Sequence, residues 1–67
     1  MALSDNVRKY RIAAKMSQEH LAKEAGIDQS SVCKIERGVF VPTVMTLDDI
    51  SRVLHVSLDE LVHGTDS

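Results

Sequence analysis

Two glycines set twelve positions apart, Gly26 and Gly38, limit the middle of this 67-residue chain to short helices. Glycine takes up the left-handed backbone that ends a helix without steric cost. Ahead of Gly26, Ser17 is placed to cap a helix over Gln18–Ala25, in which Leu21, Ala22 and Ala25 form an apolar stripe at helical spacing. Behind it, Ile27 is expected to plug back into the core. Asp28 is expected to cap a further helix in which Val32 and Ile35 face inward, until Gly38 stops it.

The rest of the chain carries the same punctuation. Ser4 is expected to cap a first helix running to about Ala14, with Leu3, Val7 and Ala14 on one face. Lys15 falls where the chain must turn with positive φ, a place that Gly or Asn fills more easily. Pro42-Thr43 opens a fourth helix that buries Leu47, Ile50, Val53 and Leu54. Ser57-Leu58-Asp59-Glu60 reads as a capping box, in which a Ser cap and an N3 Glu satisfy each other's backbone donors. Leu58, Leu61 and Val62 pack this last helix and Gly64 closes it. The only β-like piece, Val39-Phe40-Val41, is three residues between Gly and Pro and reads as a loop. The expected fold is therefore all-α: five short helices around one core. Residues 1–64 form a single domain and Thr65-Asp66-Ser67 a polar tail. With 43% hydrophobic residues but only 3% aromatics, the core must be aliphatic.

Size and composition exclude much. The chain is long enough for one domain and too short for two. No apolar run nears the roughly 18 residues that a membrane span needs. Met1-Ala2-Leu3-Ser4-Asp5 lacks the basic and apolar segments of a signal peptide. One cysteine, Cys33, cannot form an internal disulfide, which fits a reducing cytoplasm. The net charge of -2 hides an asymmetry: residues 1–37 carry seven Lys/Arg against five Asp/Glu, whereas residues 38–67 carry one Arg against five acids. Phosphate binding depends on the charge of one face and not on the total, so the N-terminal half can approach DNA. With few phosphates to neutralise, its non-specific affinity should be modest.

The segment from 17 to 38 carries the functional argument. Two short helices meet at Gly26 with about three residues of turn, and the small Ala22 and Ala25 let their backbones approach. A helix-turn-helix unit needs that composition. In such a unit the second helix enters the major groove, N-terminal residues first. With Val32 and Ile35 inward, the outward face is Gln29, Ser30, Cys33, Lys34 and Arg37. Gln bonds bidentately to adenine, Lys donates to guanine, and Ser suits base edges or phosphates. Composition alone leaves open an ordinary solvated helix face.

The ordered motifs go further. Val7-Arg8 with Arg11, Met16-Ser17-Gln18-Glu19, Leu21-Ala22, Ala25-Gly26-Ile27, Ile35-Glu36-Arg37-Gly38, Pro42, Leu47 with Ile50, and Val56-Ser57-Leu58-Asp59-Glu60-Leu61 succeed one another at a familiar spacing. By these motifs the chain, from about Val7 to Leu61, resembles the Xre family, the lambda-type phage repressor and Cro class of helix-turn-helix regulators. The resemblance implies a lambda repressor-like DNA-binding domain and a transcriptional regulator, more often a repressor. It implies base reading by Gln29, Ser30 and Lys34, with Ser31 and Cys33 close beside them. Ser17, Gln18, Arg11 and Arg37 would meet the DNA backbone, and Gln18 would also brace the recognition helix. Arg11 and Glu36 match a partly buried salt bridge between the first and third helices.

A single recognition helix covers only about 4–5 base pairs, too few to mark one site among the ~10⁶ or more that a genome offers. A homodimer on a palindromic operator is therefore expected, formed through Leu58, Val62, Val44 and Met45, with completion of the core by those same residues as the alternative. Family members usually carry basic or polar residues after the glycine that ends the recognition helix, where this chain has Val39-Phe40-Val41. Folding of Phe40 onto the core is the favoured reading of that loop. A partner-binding loop, as in an antitoxin or accessory subunit on the same scaffold, is the alternative.

Other chemistry lacks parts. His20, His55, His63 and Cys33 are not spaced as a zinc site, so no metal or cofactor is expected. Cys33 beside the reading face invites a redox role, but a small half-buried residue with an ordinary thiol is the favoured reading. There is no Gly-rich phosphate loop, no triad-like spacing of Ser, His and Asp, and little room for a ligand pocket, so an enzyme is not expected.

Overall fold

The computed structural model describes residues 3–64. The expectations for Met1-Ala2 and for a polar tail at 65–67 fall outside those residues. Five helices succeed one another: α1 (Leu3–Ala13), α2 (Gln18–Ala25), α3 (Gln29–Glu36), α4 (Val44–Leu54) and α5 (Leu58–His63). Helix α3 packs against α1 and α2, α5 packs against α1 and α4, and α2 also meets α4. Their apolar stripes converge on one aliphatic core of Val7, Leu21, Ala22, Ala25, Val32, Ile35, Leu47, Ile50, Leu54 and Leu61. Because no helix among the described residues exceeds eleven residues, this shared core rather than intrinsic propensity holds the helices in shape. Among the described residues no helix is long and apolar enough to cross a membrane.

Side-chain caps start three helices. Ser17 Oγ accepts from the His20 amide at 2.9 Å, Thr43 Oγ1 from the Thr46 amide at 3.3 Å, and Ser57 Oγ from the Glu60 amide at 3.0 Å. Glu60 Oε1 accepts in return from the Ser57 amide at 2.9 Å, which completes the capping box. Asp28 departs from its expected role. It holds the cap position of α3 with extended backbone, but its carboxylate accepts no capping hydrogen bond.

Four helices end in one device. A residue with positive φ (Lys15, Gly26, Gly38 or His55) comes after each helix. The next amide then reaches back five residues: Met16 to Arg11, Ile27 to Ala22, Val39 to Lys34, and Val56 to Ser51, each within 2.9–3.1 Å. This is the Schellman pattern, which satisfies carbonyls the helix leaves open. Lys15 and His55 both adopt φ 59°, which costs an L-residue what glycine avoids. Met16, Ile27 and Val56 then pack on the core, while Val39 does not.

Several expectations need correction. Ser4 lies inside the first turn of α1, close to Gly38, and is not the residue before the helix. Helix α1 ends at Ala13, and Ala14 is exposed. The chain leaves helical geometry at Ala14-Lys15, so the stripe stops one step early and runs Leu3, Val7, Tyr10. Val53 is half-buried where full burial was expected. Phe40 does not fold onto the core: Val39, Phe40 and Val41 are 65%, 45% and 78% exposed, held out by the buried Pro42 that leads into α4.

Candidate nucleic-acid interface

Helices α2 and α3 are joined by Gly26-Ile27-Asp28 alone. Gly26, at φ 74°, makes the turn, and nothing crowds the place where a Cβ would stand, so backbone conformation and not space favours glycine there. Ala22 and Ala25 are buried beneath the turn, and Val32 and Ile35 anchor the inner side of α3. With that side fixed, the 3.6-residue period puts Gln29 and Ser30 outward on the first turn and Lys34 a turn later. All three are exposed, Ser31 and Cys33 are half-buried beside them, and Arg37 is exposed just past the helix end. The side chains expected to read bases thus share one surface.

The acid on this helix is turned away from that surface. Glu36 keeps only 4% of its side chain exposed and Arg11 only 13%. Arg11 Nε donates to Glu36 Oε2 at 2.6 Å and Nη2 to Oε1 at 3.1 Å, a bidentate pair between α1 and the end of α3. Arg11 Nη1 donates to the Met16 carbonyl at 2.7 Å, tying in the α1–α2 turn. Gln18 Nε2 donates to the same Glu36 Oε1 at 3.2 Å. One carboxylate thereby joins α1, α2 and α3 and fixes the tilt of α3; the surface from Gln29 to Arg37 carries no carboxylate, and the exposed Asp28 stands just ahead of it.

This arrangement separates the roles expected of the basic and polar residues. The guanidinium of Arg11 is given over to Glu36 and Met16 and is not brought to the surface with Arg37. Gln18 is half-buried, its amide on Glu36. Ser17, exposed at the start of α2, caps that helix. Val44 and Met45 stand out at the start of α4, 68% and 80% exposed. Leu58 and Val62 are half-buried on α5 and line a shallow open recess with Asp59 and His63. Val44 and Met45 thus open α4, whereas Leu58 and Val62 lie on α5, which follows the other end of that helix in sequence.

Two features escaped the sequence reading. Tyr10 packs on the core, and the Leu3–Val7–Tyr10 spacing carried that signal. Asn6 Nδ2 donates to the Leu61 carbonyl at 3.0 Å, joining the first helix to the last. The bracing of α3 by Gln18, expected from the resemblance, runs through the same Glu36 carboxylate that Arg11 holds, and it joins residues 18 and 25 positions apart.

A helix-turn-helix family model matches residues 7–61. The HTH-type transcriptional regulator YqaE of Bacillus subtilis is 38% identical over 61 residues, 91% of this chain and 53% of that protein, so this chain spans about half of that relative. The P22 c2 repressor, in a crystal structure with a synthetic operator, superposes with a TM-score of 0.91 at 26% identity, covering 97% of this chain and 98% of that one. SinR, a master regulator for biofilm formation, in complex with DNA, gives a TM-score of 0.85 at 32% identity over 88% of this chain and 95% of its own. With its buried Glu36 tie, its Gly26 turn and this likeness, the chain belongs to the Xre-type helix-turn-helix family of transcriptional regulators and has the fold of the lambda-like repressors.

Proposed function

We propose that this chain is a sequence-specific DNA-binding regulator that acts in the cytoplasm, represses by occupying its operator, and catalyses no reaction. Helix α3 enters the major groove N-terminus first. Gln29, Ser30 and Lys34 meet base edges, and the half-buried Ser31 and Cys33 fill the contact beside them. Ser17 and Gln18 at the start of α2, and Arg37 after α3, meet phosphates on either side of the groove. Arg11 acts through Glu36 and not on the DNA. Two copies occupy a palindrome with half-sites about 34 Å apart.

One observation carries this reading. Past the exposed Asp28 at its cap, the outer face of α3 is polar and free of carboxylate, because Glu36, the one acid within the helix, is drawn inward by Arg11 and Gln18. A solvated helix has no need to hide its acid; a helix that slides between two phosphate ribbons does. Selection of binding sites from a random DNA pool, and then titration of the selected duplex with salt, is the test. Enrichment of one sequence, with affinity falling as salt rises, is the expected result. An unenriched pool with no salt-dependent retention overturns the reading.

A further inference from the structure

From Gly38 to Leu47 no side chain is ionisable, and within that stretch five apolar side chains face solvent. These are Val39, Phe40 and Val41 in the α3–α4 loop and Val44 and Met45 on the first turn of α4. Each being 45–80% exposed, they present together on the order of 500 Å² of apolar surface, in the range where a patch on a monomer marks an interaction site.

We infer that this segment, and not α5, is where a second copy of the chain docks when two copies sit on a palindrome. The inference rests on the DNA-binding reading; it keeps Val44 and Met45 of the interface expected from sequence and exchanges Leu58 and Val62 on α5 for the loop 39–41. Three observations support it. An isologous contact sets a patch against itself, which a charged patch resists and this uncharged one allows. Dimensions come next: the described residues span 29 × 23 × 19 Å, while the half-sites lie about 34 Å apart. Two copies so spaced leave room for contact only between facing edges, and this segment starts one residue after the glycine that closes α3, the helix both copies would place in the groove. Area is the third. Burying the patch on both copies removes about 1,000 Å², the low end for a specific contact. Such a dimer is weak in free solution and forms on DNA. By contrast, Leu58 and Val62 on α5 are already half-buried against the core and have less surface to give.

The test uses the whole chain, a duplex with one selected half-site and a duplex with two in palindromic array. The wild-type chain binds the palindrome at least tenfold more tightly than two independent half-sites would allow. The Val41→Ser/Met45→Ser variant keeps half-site affinity within about twofold and loses at least fivefold of that cooperativity. A Leu58→Ser/Val62→Ser variant, shown folded by circular dichroism, retains it. Cooperativity that survives the loop variant, or vanishes only in a folded α5 variant, overturns the inference. Half-site binding without cooperativity in the wild type also overturns it and leaves the DNA-binding reading standing. No binding to any selected duplex overturns the DNA-binding reading and this interface together.

Discussion

The turns after α2 and after α3 are built alike and leave opposite surfaces. Each has a glycine at positive φ and then an aliphatic residue whose amide closes the same Schellman hydrogen bond. Ile27 ends against the core; Val39 ends in solvent. The length of chain leading to the next helix makes the difference. After Ile27 only Asp28 precedes α3, so the next helix pulls the aliphatic residue inward. After Gly38 five residues, 39–43, separate the helices, and it is Pro42 that turns inward. Capping chemistry thus decides where a helix stops, whereas the length and anchoring of the connection decide which side chain is buried.

The comparison can be tested by substitution, beginning with the strongest tie on the α2–α3 side. Arg11→Ala leaves the Glu36 carboxylate buried without its cation, and should lower stability by roughly 3–5 kcal/mol in urea denaturation. A loss below about 1 kcal/mol would mean that Glu36 swings out to water and that the tripod is not fixed. Next in size is the contrast of the two aliphatic residues. Ile27→Asp should cost about 2 kcal/mol or more by placing a charge against the core, and Val39→Asp no more than about 0.5 kcal/mol. Equal losses would erase the distinction between the turns. The smallest effects sharpen the shared part of the device. Lys15→Gly and His55→Gly relieve left-handed backbone and should each raise stability by about 0.5–1 kcal/mol, read as a higher melting temperature.

The same division governs what the sequence made legible. Local signals were sound: Gly26 and Gly38 as stops, positive φ at Lys15, the Ser57–Glu60 box and the inward pairing of Val32 with Ile35 are all set by neighbouring residues. Asp28 misled because residue type sets the chance of a cap and the side-chain rotamer decides it. Ala14 misled because periodicity continues in sequence past the point where the backbone turns away. Phe40 misled for a tertiary reason: the expectation that a large apolar residue is buried cannot tell which member of Val39-Phe40-Val41-Pro42 will be drawn in. For the candidate site, residue types on α3 and their helical period placed the outward face. The meeting of Arg11 with Glu36 and the bracing of α3 by Gln18 came from the resemblance, and only the shared carboxylate on which they meet had to be seen in three dimensions.

The central claim is that the outer face of α3 recognises bases. The most direct measurement is the affinity of Gln29→Ala and Lys34→Ala for the selected duplex and for a scrambled one, at fixed salt. The account predicts that each loses about 1–3 kcal/mol on the selected duplex and that Gln29→Ala relaxes preference at one base position. Unchanged affinity for the selected duplex in both variants, with the fold intact, would contradict it.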